Sequence, residues 1–103
     1  MKRLHLQLQP ARSPQLDLVG AITILTSLVP DVRVTDGEDD GRYINVDFKT
    51  ADLCGLWHSI RKTMQAVPGL ASATIIACEG EHGWADYLLL HHYDPQEIVD
   101  GLG

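Results

Sequence analysis

An α+β two-layer sandwich, a sheet carrying two helices on one face, is the fold class this sequence predicts. Strict alternation of apolar and polar residues over positions 4–9 reads as a strand with one buried and one wetter face. Leu53, Leu56, Trp57, Ile60, Met64 and Val67 recur at helical spacing, the cleanest period in the chain. Between and after them the pattern returns to period two, so strands and helices interleave. The chain has 103 residues, 45% hydrophobic and 21% charged, and is expected to form a single α+β domain over 1–103. Only 6% of it is aromatic, so the core is expected to be aliphatic.

In the first strand Leu4, Leu6 and Leu8 share one face and His5, Gln7 and Gln9 the other; Pro10 ends it. Ser13 and Pro14 then read as a helix N-cap and first helical position, followed by the stripe Leu18, Ile22, Leu25 and Val29. Gly20 weakens that helix by about 1 kcal/mol relative to alanine and is expected to allow close packing on the sheet. Val32 and Val34 read as a short strand and 36–41 as a turn. Ile44, Val46 and Phe48 form the inward face of the returning strand, which makes a hairpin. Thr50 is the expected cap of the second helix. Its outer face carries His58, Arg61, Lys62 and Gln65, and Pro68 and Gly69 stop it.

Residues 71–78 are apolar on both faces, as an interior strand requires. A turn at 80–83 leads to a longer strand over 84–93. Asp94, Pro95 and Glu97 then read as the cap, first-turn proline and capping-box acid of a short C-terminal helix that Gly101 ends. The order β-α-β-β-α-β-β contains two β-α-β halves joined by a hairpin. That is the plan of a ferredoxin-like sandwich with an added C-terminal strand, its antiparallel sheet covered by two helices on one face. Such a frame hosts many unrelated functions, so function must be read from sites.

Charge narrows the classes. Fourteen acids and eight bases give a net charge of -6, ill suited to gripping phosphate backbones, and no nucleic-acid partner is expected. Through Thr35 the bases Lys2, Arg3, Arg12 and Arg33 outnumber Asp17 and Asp31, whereas beyond it twelve acids face four bases. No run approaches the roughly 18 to 20 apolar residues of a membrane helix. The first residues alternate instead of forming an apolar leader, so a cytoplasmic location and no membrane contact are expected. Cys54 and Cys78 are read as reduced, buried, small hydrophobes. The glycine-containing turns are flanked by acids that repel a nucleotide, and no cofactor is expected.

The histidines, cysteines and acids are the candidates for a reactive constellation. His91 and His92 are adjacent on a strand and point to opposite faces, while Glu79, Glu81 and His82 lie at its far end, on the order of 25 Å from His91. A metal site would have to join His92 and Asp94 to His58 or His5, and none is expected. Cys54 and His58, at i and i+4, have nucleophile–base spacing but no third group to orient them, so no catalytic residue is assigned. Asp86 falls in phase with Trp84, Leu88 and Leu90, a lone acid on an apolar strand face, while Asp47 reads as facing solvent.

What remains is surface. Asp36, Glu38, Asp39 and Asp40 in one turn, and Glu79 and Glu81 flanked by Trp84 and Tyr87 in another, are the expected partner-binding residues. Acidic loops steer a basic partner and aromatics anchor it. The chain is thus expected to be a small, acidic, non-catalytic interaction module engaging a basic protein, or a second copy of itself through an exposed edge strand. The alternative is a small-molecule-binding or small enzyme domain with a cleft near Trp57, His58, Asp86 and His92.

Overall fold

A computed structural model describes residues 2–39, 41–78 and 87–101. The sequence expectations for Asp40, Glu79, Glu81, His82, Trp84 and Asp86 lie outside them. Five strands form one antiparallel sheet with two α-helices, an α+β arrangement compatible with a two-layer sandwich. The strands are β1 (Lys2–Leu8), β2 (Val32–Glu38), β3 (Arg42–Thr50), β4 (Thr74–Cys78) and β5 (Tyr87–His91); the helices are α1 (Leu18–Thr26) and α2 (Leu53–Ala66). Across the sheet the order is β2-β3-β1-β4-β5, so the first strand in sequence is the central one in space.

Alternation does what period two demands. Leu4, Leu6 and Leu8 are wholly buried, and beside them on the same face lie Ile44, Val46 and Phe48 of β3 and Ile75 and Ala77 of β4. Ala21 and Leu25 of α1 and Leu53, Leu56, Trp57 and Ile60 of α2 close over this face into one core. Each wholly buried leucine side chain removes roughly 1.5–3 kcal/mol worth of apolar surface from water. The opposite sheet face carries Arg3, His5, Gln7, Asn45 and Asp47, none of them buried.

Both helices start one device away from where the local sequence suggests. Ser13 does not cap α1: its buried hydroxyl donates to the Gly69 carbonyl (2.8 Å), tying the turn before α1 to the turn after α2. The chain instead makes a 3-10 turn at Pro10–Arg12, and Asp17 caps α1 by accepting from the Gly20 amide (3.2 Å). Asp52, not Thr50, caps α2 by accepting from the Gly55 amide (3.0 Å); Thr50 Oγ1 accepts in turn from the Asp52 amide (3.1 Å). The two helices therefore share an Asp-x-x-Gly start. A Cβ on Gly20 would meet the Asp17 carboxylate, so this glycine makes room for its cap and not for the sheet.

Two further expectations are corrected. The acidic segment is strand over its first half: Asp36, Gly37 and Glu38 pair with Ile44, Tyr43 and Arg42. An Asp36–Arg42 ion pair and the Tyr43 ring lying over Gly37 supply the cross-strand contacts that strand-poor residues otherwise lack. No helix forms over 94–101. Asp94 begins a turn, accepting from the amides of Gln96 and Glu97, but the chain then folds back along β5. Asp100 accepts from the Leu89 amide through its side chain (2.8 Å) and donates its own amide to the Leu89 carbonyl (2.6 Å). The Arg12 guanidinium stacks over Tyr93, 3.6 Å from the ring centroid, and holds the same segment from the other side.

Replacing Leu6 with alanine empties the centre of this core and is expected to cost about 2–5 kcal/mol in denaturant unfolding. Gly69, in the turn after α2 that opens a 3-10 turn at Leu70–Ser72, sits at φ +87°, where a Cβ would also press on Ser13 and Leu16 at 3.2 Å. Gly69→Ala is expected to cost about 1–2 kcal/mol in the same measurement. A change under about 0.5 kcal/mol at either position contradicts the packing described.

Candidate functional site

The helices cover one face of the sheet and leave the other open, and the strand registers dictate what meets there. Arg33, Asp47, His5, Ile76 and Leu89 form one row across β2, β3, β1, β4 and β5. A second row runs Thr35, Asn45, Gln7 and Thr74. A third places Lys49 beside Arg3 and Arg3 beside Cys78, with the Lys49 amide bonded to the Asp31 carbonyl (3.0 Å). Each row is a line of side chains from neighbouring strands about 4.8 Å apart.

Hydrogen bonds organise the middle of this face. His5 Nδ1 donates to Asp47 Oδ1 at 2.5 Å, with the two side chains 22% and 39% exposed. Because a carboxylate only accepts, this contact fixes a proton on Nδ1. One row along, Gln7 Nε2 donates to Asn45 Oδ1 (3.1 Å). Beside the His5–Asp47 pair opens a groove of about 450 Å³ lined by Arg3, Asp31, Arg33, Asp47, Phe48 and Lys49. Three cations from three adjacent strands border it, although the whole chain carries a charge of -6. Sequence reasoning did not find this grouping. Its trace was there: Arg3, Arg33 and Lys49 each fall on the polar phase of an alternating strand.

The residues singled out from the sequence are distributed elsewhere. Asp36, Glu38 and Asp39 are all exposed at the β2–β3 end of the sheet. Asp36 is engaged with Arg42, whose Nη2 donates to Oδ2 at 2.9 Å. That hydrogen bond, with the positive charge behind it, holds the Asp36 carboxyl below the usual aspartate range and raises Arg42. Tyr87 is exposed at the start of β5, in line with Cys78. Trp57 is buried in the core with Arg61 over its ring, 5.4 Å from the centroid. His58 lies on the outer face of α2, where it lines a depression of about 290 Å³ with Arg61, Lys62 and Gln65. His92 follows β5, its Nδ1 accepting from the Asp94 amide (3.0 Å) and its ring against Tyr93. Trp57 and His92 line neither of these two depressions.

Cys78 is buried, but Cys54 is exposed in the first turn of α2, which corrects its reading as a buried hydrophobe. His91 turns to the Ala71 carbonyl (2.8 Å) past a bulge in β5 opposite Ile75 and Ile76, so its use is separate from that of His92. Among the described residues, no three of the histidines, cysteines and acids gather as a metal site would need. No helix among them is long and apolar enough to cross a membrane. No protein family, curated protein or solved structure matches the chain.

The Asp36–Arg42 pair has a signed consequence. A carboxyl whose folded pKa is lowered contributes stability above the unfolded aspartate value and loses it as pH falls through the folded one. In an NMR pH titration the Asp36 carboxyl is expected to titrate below ordinary aspartate and to return to the ordinary value in Arg42→Ala. A midpoint that Arg42→Ala leaves unchanged would contradict the pairing.

Proposed function

We propose that this chain is a small, non-catalytic interaction module that takes an extended segment of a basic protein onto the outer edge of β2. What supports this reading is the difference between the two edges of the sheet. The β5 edge is occupied by the chain's own Asp100, which bonds both the amide and the carbonyl of Leu89. The β2 edge has no strand beyond it among the described residues. An unpaired strand presents alternate amides and carbonyls ready to bond a further strand.

The chemistry of that edge selects the partner. Asp36, Glu38 and Asp39 are exposed on it or beside it, and Val34, 40% exposed, offers an apolar contact between charges. Opposite fields raise the rate of encounter, and main-chain bonds along the strand then hold the segment in register. A second copy is the weaker occupant, because two chains of charge -6 repel one another at long range. The reading includes the finer architecture, a ferredoxin-like β-α-β-β-α-β unit with β5 appended. It is favoured by the flanking of β1 by β3 and β4, with the β2–β3 hairpin to one side.

A short peptide of alternating lysine and threonine serves as the probe. Its amide NMR shifts are expected to concentrate in β2, and its affinity to fall steeply as salt rises, since these charges are in water. The triple variant Asp36→Asn, Glu38→Gln, Asp39→Asn is expected to weaken it by about tenfold, given roughly 0.2–1 kcal/mol for each exposed ion pair. Salt-independent binding, or shifts centred on the helices, would sink the proposal. A concentration-dependent dimer lost on Val34→Pro would assign the edge to self-association instead.

A further inference from the structure

We propose a second binding site, independent of the β2 edge: the groove on the open sheet face takes a small phosphate monoester that also carries hydroxyl groups. Arg3, Arg33 and Lys49 stand on β1, β2 and β3 and line one groove, Arg3 directly across from Lys49 and Arg33 directly across from Asp47. Among the described residues none of the three has a carboxylate partner, and Asp47 is already engaged with His5. Cations are commonly paired where acids are plentiful. Here three line one groove with two carboxylates, Asp31 and Asp47, in a chain with nearly twice as many acids as bases, so the groove is cationic on balance.

The arrangement fits a tetrahedral oxyanion better than a planar one or a polymer. Two guanidinium forks and one ammonium supply donors from three adjacent strands, and arginine forks match phosphate oxygens in pairs. Asp31 and Asp47 border the same groove. They repel a continuous polyanion such as a nucleic-acid backbone, yet they accept hydrogen bonds from hydroxyls placed next to the phosphate. A volume of about 450 Å³ lies in the range of small-molecule pockets and holds a phosphorylated sugar of modest size. The His5–Asp47 bond keeps Asp47 fixed at the edge of the cations.

The test is a titration of the full chain, followed by amide NMR shifts, with inorganic phosphate, ribose 5-phosphate and ribose as probes. Ribose 5-phosphate is expected to shift the amides of Arg3, Arg33 and Lys49 and to saturate at about tenfold lower concentration than inorganic phosphate. Ribose alone shifts none of them. Arg33→Ala and Lys49→Ala each weaken the sugar phosphate by about tenfold, the loss of one hydrogen bond between charged groups. Arg33→Lys, which keeps the charge and loses the fork, falls between. Asp31→Asn removes the preference for the sugar phosphate while leaving inorganic phosphate bound. Asp36→Asn, at the β2 edge, changes nothing, which separates this site from the one above. Equal shifts at Arg12, Arg61 and Lys62, or affinity unchanged in both Arg33→Ala and Lys49→Ala, would mean diffuse ion binding and overturn the proposal.

Discussion

The burial of Leu4, Leu6 and Leu8 on one side of a strand paired along both its edges is the constraint on which the rest depends. A strand with period-two alternation can bury only one face, and here that strand sits at the centre of the sheet. Its apolar phase draws both helices to one side. Its polar phase then sets the open face, because Arg3, His5 and Gln7 fix which residues of β3 and β4 stand beside them. A one-residue slip of β1 would turn the three leucines to water and carry Arg3, His5 and Gln7 into the core, so the fold and the groove stand or fall with one register.

A net charge of -6 conceals how the charge is arranged. The β2–β3 hairpin is bipolar on balance: Arg33 and Lys49, with Arg3 beside them, outnumber Asp31 and Asp47 toward one end, and Asp36, Glu38 and Asp39 outnumber Arg42 toward the other. Arg33 and Asp36 are three residues apart, about 10 Å along an extended strand. That is close to the screening length of about 8 Å at physiological ionic strength, so each end presents its own field to a partner. The two binding roles proposed use opposite ends of one hairpin and different parts of it, an edge in one case and a face in the other.

Much of this was legible from local pattern. Alternation placed β1 and the inward residues of β3, and the helical stripe from Leu53 to Val67 placed α2 and its buried face. The failures share a cause, the competition of a nonlocal partner for a group that a local rule had already assigned. Ser13 has the composition of an N-cap, but its hydroxyl goes to Gly69, fifty-six positions away, and Asp17 caps instead. Asp36 and Gly37 look like turn residues, but Arg42 and Tyr43 hold them in a strand. The Asp94–Pro95 signal opens a turn that the bonds between Asp100 and Leu89 prevent from becoming a helix. The groove was invisible for a related reason. Each of its cations reads alone as an ordinary solvated residue, and only the pairing of β1, β2 and β3 brings them together.

Native-state amide hydrogen exchange tests the central claim most directly, because it reports pairing strand by strand. The amides of Leu4 to Gln7 are expected to exchange only through global unfolding, since this stretch of β1 is paired on both sides. Along β2 every second amide is expected to exchange orders of magnitude faster, as an edge with no strand beyond it among the described residues must. Uniform protection along β2, or fast exchange within β1, would contradict the account.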